Sequence, residues 1–282
     1  MRRLSNSIAL AKSSWAVLKT DKELAAIPII SFLVTLAVMA LAGGGIYFSL
    51  TEKVTQPGNS TSLQATPLTY VVGAIGYLVI TFVVTYFAAV LVSGAYQRLS
   101  GGNPTLGSAF AQASSRLGQI FAWSMLTGTV GLILQAIRSR AGFLGQIVVN
   151  LVGMAWEIVT WLAVPAVVVE GTGPIESLKR SAGLFKKTWG ENLIAQAGFG
   201  LLGLVLMVPA VVIALLVGVA IPVAGLLIGA VWVAIVSVIL SALNGIFRTA
   251  LYMYAATEQV PDFFTEQELS GAFGPKKKSR VF

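Results

Sequence analysis

The residues of this chain that could do chemistry are few, and the most unusual of them is Glu157. It lies near the middle of a long apolar stretch, and Gln146, Asn150 and Thr160 fall on the same helical face. A carboxyl group at the centre of a bilayer costs about 2.5 kcal/mol or more, so this face is expected to turn toward the interior of a bundle. We take these four residues as a candidate intramembrane polar site. A buried structural acid and the lining of a path for a proton or cation are both compatible with the pattern.

The depth of each basic residue along the predicted spans decides whether it can pair with this acid. At about 1.5 Å per residue, Arg248 lies roughly 20 Å nearer the inner face than Glu157, too far for an ion pair. The same count places Arg248 level with Glu170. Glu170 and Arg248 are therefore the predicted ion pair, and Glu157 is expected to have no Lys or Arg within reach.

Other catalytic arrangements are missing from the chain. It has no Cys and no His, which excludes thiol nucleophiles, Cys/His metal sites and imidazole acid–base chemistry. The segment Gly198–Gly203 matches the dinucleotide pattern GxGxxG, but it stands inside an apolar run without a preceding strand, which favours close helix packing. The sequence therefore predicts no catalytic residue, no metal site and no cofactor, and the protein is not expected to be an enzyme.

Composition predicts the class of protein that must position these residues. Of 282 residues, 56% are hydrophobic and 11% are charged, against about 25% charged in soluble domains. We predict an all-α integral membrane protein, with residues 1–257 as one six-span domain and 258–282 as a basic cytoplasmic tail. Six apolar stretches are long enough to cross a bilayer, at approximately 24–50, 68–92, 119–137, 143–169, 193–217 and 221–247.

An amphipathic segment precedes each pair of predicted spans, at residues 4–19, 105–118 and 174–189. The spans thus form three hairpins, and each is expected to follow a helix that lies in the membrane interface on the cytoplasmic side. The pattern suggests an internal repeat, although convergent use of the same interfacial chemistry explains it nearly as well. The lipid-facing belt is predicted to include Trp15, Lys12, Lys19, Lys179, Arg180, Lys186, Lys187 and Trp189.

The basic residues predict the orientation. All but three of the 19 Lys and Arg residues fall on the side that holds both termini, the exceptions being Lys53, Arg138 and Arg140. By the positive-inside rule both termini are expected in the cytoplasm, with the protein in the plasma or inner membrane. The net charge of +8 then indicates contact with anionic lipid headgroups rather than nucleic acid.

Several of these motifs carry a resemblance. The pair Pro165 and Glu170, the run GPIESLKRS at Gly173–Ser181, the run at Lys187–Glu191 and the segment Ser14–Leu24 resemble a family of bacterial and archaeal membrane proteins catalogued as a domain of unknown function. The chain is also distantly similar to the membrane domain attached to some glycerophosphodiester phosphodiesterases. The resemblance implies a helical membrane fold and supplies no catalytic residues.

Two functions remain after these exclusions. The first is a non-catalytic accessory or scaffold that binds lipid, or a protein partner on the cytoplasmic face, through its belt of amphipathic helices. The second is a small transporter or channel with a polar path around Glu157. The pair Gly225 and Gly229 forms a GxxxG pattern that favours packing within the last hairpin, and a homo-oligomer seam would use the same close approach.

Overall fold

The computed structural model describes residues 2–55, 60–189, 206–209, 211–212 and 222–273. Within these residues the chain is mostly helical, with one small antiparallel β-hairpin between the first two long helices. The elements in chain order are α1 (Arg2–Thr20), α2 (Lys22–Ser49), β1 (Thr51–Thr55), β2 (Ser60–Gln64), α3 (Pro67–Leu99), α4 (Leu106–Ser114), α5 (Leu117–Arg140), α6 (Phe143–Thr160), α7 (Ala163–Glu170), α8 (Pro174–Trp189), α9 (Pro222–Thr257) and α10 (Glu266–Phe273).

Five helical stretches in the described residues are long and apolar enough to cross a membrane, which is compatible with a multi-pass membrane protein. They are Lys22–Ser49, Pro67–Leu99, Leu117–Arg140, Phe143–Glu170 and Val223–Thr257. Each overlaps one of the predicted spans. The remaining predicted span, 193–217, lies outside the described residues except for 206–209 and 211–212.

The fourth of these stretches is broken between α6 and α7, a feature that the sequence analysis did not predict. Pro165 has no N–H and its ring crowds the carbonyl four residues earlier, so the carbonyl of Trp161 cannot receive its usual helical bond. The N–H of Trp161 bonds to Ile158, three residues back, and the N–H of Leu162 is left for a side chain. A proline thus divides one predicted span into two helices.

The polar segment between the first two spans forms a β-hairpin, which the sequence analysis did not predict. Residues 51–55 and 60–64 pair as antiparallel strands, with Thr51 opposite Gln64 and Thr55 opposite Ser60. The two strands contain three threonines and one valine, and β-branched residues of this kind favour strands.

The buried core lies toward one end of the molecule, where the second half of α3, the helix α7 and the second half of α9 meet. Three further helices pack against them: α4 against α3, α8 against α7 and α1 against α9. We call α1, α4 and α8 the collar helices. The helices α4 and α8 each pack against the helix that precedes them. The first helix, α1, packs instead against α9, the last long helix.

Each collar helix buries a pair of residues one turn apart. The pairs are Leu10 and Ser14 in α1, Ala109 and Ala113 in α4, and Ser177 and Ser181 in α8. These mostly small side chains let the helices approach closely. The predicted apolar stripe of α8 is therefore turned away from the core in part, since Ile175 is exposed while Leu178 and Phe185 are half-buried. The predicted helix at 105–118 is also shorter, because α4 ends at Ser114 and Leu117 begins α5.

Candidate functional site

The predicted polar site on α6 does not face the interior. Gln146, Asn150 and Glu157 are exposed, and Val149 is the buried residue of this helix. The hydroxyl of Thr160 donates to the carbonyl of Trp156 at 2.7 Å, within its own helix. Among the described residues these side chains are therefore not enclosed, and the predicted inward-facing site is not formed. Periodicity had placed these residues on one face, but the neighbours of α6 decide which face is covered.

The predicted ion pair between Glu170 and Arg248 is also not formed. Arg248 donates from Nε to the carbonyl of Trp161, and its guanidinium lies 6.0 Å from the Trp161 ring. That carbonyl is the group released by Pro165, so the arginine satisfies a backbone acceptor within a span. The contact also places the guanidinium of Arg248 at the level of Trp161, only about 6 Å along the helix axis from Glu157, because four residues rise by that distance. The depth count did not include the reach of the long Arg248 side chain. No ion pair to Glu157 occurs among the described residues.

The N–H of Leu162, which has no helical partner at the same break, is bound by a side chain. The hydroxyl oxygen of Ser181, on α8, accepts from the N–H of Leu162 at 3.0 Å, and both groups are buried. A buried donor without a partner costs about 1–3 kcal/mol, so this bond stabilises the broken helix. Ser177 on the same face shares a hydrogen bond of 2.6 Å with Thr172, in the turn before α8.

Glu170 is held by two other side chains at the end of α7. Its Oε1 accepts from Nε of Arg180 at 2.8 Å and from the hydroxyl of Tyr252 at 2.5 Å. Burial lowers the pKa of Arg180, but its bonds to Glu170 and Tyr252 and the attraction of the carboxylate outweigh that effect and hold the pKa above its ordinary value. A raised pKa means that the stabilisation linked to the charged Arg180 guanidinium is present at neutral pH and is lost as the pH rises through that pKa in strongly alkaline solution.

A cavity of about 540 Å³ opens beside this group. Its walls include the last turns of α3, α7 and α9 and the segment that connects α9 to α10. That segment is fixed at both ends, since the N–H of Asp262 donates to the carbonyl of Leu99 and Leu269 of α10 is fully buried. The hydroxyl of Ser13 on α1 donates to Glu268 at 3.1 Å. The cavity therefore lies at the collar end, with both charged and apolar side chains in its lining.

The predicted belt residues occupy the outer surface of two collar helices. Trp15 is 40% exposed, and Nζ of Lys19 lies 6.0 Å from its ring. Ile175 is 54% exposed, with Lys179 one turn further along α8. Lys12 and Lys186 are exposed as well, while Arg180 is paired with Glu170. The side chains of Lys187 and Trp189 lie outside the described part of the chain.

Two acidic residues that the sequence analysis quoted only as part of a motif make structural contacts. Asp21, between α1 and α2, accepts from Nε and Nη2 of Arg98 at the end of α3. Glu23 accepts from the N–H of Leu106, the first residue of α4, where a carboxylate suits the positive end of the helix. Spacing gives no signal for either contact, because the partners are some 80 residues away.

Gly171 ends α7 in the left-handed conformation, with φ of +67°. A Cβ at this position would lie 2.5 Å from Cζ of Arg116. We expect Gly171→Ala to lower the free energy of unfolding by about 1–2 kcal/mol, mainly from the left-handed backbone, because the long Arg116 side chain can move. Gly173→Ala is the matched control, as its Cβ would meet no atom within 4 Å. Chemical unfolding in detergent measures both, and equal effects would contradict the prediction.

Comparison with known proteins gives a family but no function. A model of a family of unknown function matches residues 68–261, which exclude the motif at Ser14–Leu24 and include the motif around Glu170. No curated protein matches the chain. The similarity to the membrane domain of glycerophosphodiester phosphodiesterases is not shown by these comparisons.

Proposed function

The chain belongs to the family of unknown function DUF6159, and we propose that it is a non-catalytic membrane protein that binds anionic lipid headgroups through its collar helices. In this proposal α1 and α8 lie in the interface at the cytoplasmic face, and the long helices cross the plasma or inner membrane. The distribution of the basic residues supports that orientation, since Lys53, Arg138 and Arg140 belong to elements at the other ends of the spans.

The observation that carries the proposal is the division of α1 and α8 into two edges. One edge is buried against a long helix, at Ser14 and Ser181. The other edge exposes an apolar residue beside lysines, as Trp15 does with Lys19. An exposed tryptophan or isoleucine can enter the acyl boundary, while the lysine stems reach up to the phosphates.

The lysines determine which lipid is preferred. The phosphate of an anionic lipid has no positive group beside it in the headgroup, so it attracts an ammonium group near the membrane surface. Several such contacts add when the lysines lie on one face. Arg180 is not counted among them because Glu170 already binds it. A transport path around Glu157 has less support, since the side chains that would line it are exposed rather than enclosed.

The test compares an anionic with a zwitterionic lipid on the purified full-length protein. We expect the protein in neutral detergent to retain phosphatidylglycerol in preference to phosphatidylcholine of the same chain length, as measured by native mass spectrometry. Replacing Lys12, Lys19, Lys179 and Lys186 by glutamine should weaken phosphatidylglycerol binding roughly tenfold or more.

The control removes two exposed arginines at the C-terminal end of α5, which is the end away from the collar helices. The Arg138→Gln/Arg140→Gln variant should bind phosphatidylglycerol as the wild type does, because these residues lie away from the collar. Equal retention of the two lipids by the wild type would contradict the proposal. A protein that copurifies with the wild type and is lost from the four-lysine variant, without a change in lipid, would favour a protein partner instead.

A further inference from the structure

We infer that the cavity beside Glu170 is a binding site for a small aliphatic ammonium ion. The inference concerns the centre of the collar end and does not depend on lipid binding by the exposed lysines. It rests on the helix ends that meet at the cavity, on the carboxylate of Asp262, which has no partner among the described residues, and on the chemistry of the cavity walls.

Three helices end at this cavity. The lining residues from their last turns are Tyr96 and Leu99 of α3, Val169 and Glu170 of α7, and Met253, Ala256 and Thr257 of α9. Each helix carries about half a negative charge at its C-terminal end, and the effect is strongest within the last turn. Their convergence gives the cavity a negative potential before any side chain is considered.

The charged side chains in the lining add to that potential. Glu170 is engaged by Arg180 and Tyr252, and Arg180 is the one basic residue among the described lining residues. Asp262 contributes a second carboxylate, which receives no hydrogen bond and no ion pair from the described residues. Its backbone N–H donates to the carbonyl of Leu99, so the position of the residue is held while the carboxylate is left for a ligand.

The size and the walls of the cavity limit the ligand further. A volume of about 540 Å³ falls within the range of small-molecule sites, roughly 300–1,000 Å³. Much of the wall is apolar, from Leu99, Val169, Met253, Val260 and Pro261. A short methylene chain can lie against these residues while an ammonium group, with its three donors, faces Asp262 and the helix carbonyls. A carboxylate or a phosphate would meet repulsion from the same groups.

The experiment uses the full-length protein in neutral detergent, without anionic lipid, and butylammonium chloride as the probe. Thermal unfolding is followed by tryptophan fluorescence at constant ionic strength, with sodium chloride replaced stepwise by the probe. We expect a saturable rise in the midpoint with butylammonium, and none with butanamide or sodium butyrate, because a ligand that binds the folded state raises its stability.

Two variants and one control locate the binding. Asp262→Asn, at an exposed residue whose backbone bond is retained, should weaken butylammonium binding about three- to tenfold. Ala256→Phe should fill the cavity and abolish the saturable rise. Glu266→Gln, an exposed acid of α10 outside the lining, should bind as the wild type does.

Several outcomes would overturn the inference. These are the absence of a butylammonium effect beyond that of sodium chloride, an equal effect of butanamide, stabilisation by butyrate instead, or unchanged binding by Asp262→Asn. Because no anionic lipid is present in this experiment, each of these results would leave the lipid proposal untouched.

Discussion

Replacing Asp21 by alanine is expected to lower the free energy of unfolding by about 1–3 kcal/mol. The side chains of Asp21 and Arg98 are only 8% and 16% exposed, and Arg98 donates to both carboxylate oxygens. Nη2 of Arg98 also donates to Oδ1 of Asn103 at 2.7 Å. Without Asp21 the guanidinium would remain largely buried with no opposing charge, and the start of α2 would lose its tie to the end of α3.

A double-mutant cycle measures this interaction directly. Asp21→Ala, Arg98→Ala and the double variant are unfolded in the same detergent, and the double variant should be less destabilised than the sum of the two single variants. Lys22→Ala is the matched control, because Lys22 is the exposed neighbour of Asp21 and should change stability by less than about 0.5 kcal/mol. Strict additivity, or an effect of Asp21→Ala no larger than that of Lys22→Ala, would show that the contact does not stabilise the fold.

The second large effect is expected at Gly245, where α9 approaches α3. A Cβ on Gly245 would lie 3.0 Å from Cγ of Leu91 and closer still to its Cδ2. Leucine at this position would add three further carbons to a contact that has no room for the first, so α9 and α3 must separate. We expect Gly245→Leu to lower the free energy of unfolding by about 3 kcal/mol, at the upper end of the range for overpacked cores.

Gly183→Leu on α8 provides the control for this change. Gly183 is exposed, and a Cβ there would meet no atom within 4 Å. The same substitution should therefore be neutral or slightly stabilising, since leucine favours a helix more than glycine does. Denaturant unfolding of both variants in one detergent tests the difference. A similar loss of stability in the two variants would contradict the close contact between α9 and α3.

Much of the architecture could be predicted because it depends on local properties of the chain. Long apolar runs form helices wherever their backbone groups must be satisfied without water, so five of the predicted spans coincide with helices of the structure. The amphipathic segments before the hairpins are helical for a similar reason, since their periodicity and turn residues are read within a few positions. The lysines of α1 and α8 are visible in the sequence as members of these segments.

The partners of the charged residues depended on the tertiary structure. Glu170 is bound by Arg180, ten residues further along the chain, and Arg248 is bound by a backbone carbonyl that only the break before Pro165 exposes. A depth count along unbroken helices could not find either contact. The proline was visible in the sequence, and its effect on the carbonyl four residues earlier was predictable. The side chain that binds this carbonyl in place of the lost helical bond was not predictable.

The sequence by itself determined that the chain is helical with several apolar helices long enough to cross a membrane, because hydropathy and periodicity are properties of neighbouring residues. The tertiary structure decided which face of α6 is covered, that the first helix packs against the last long one, and that three helix ends meet at one cavity. These features are set by contacts between residues far apart in the chain, so the packing of the helices chooses among faces that the sequence pattern leaves equivalent.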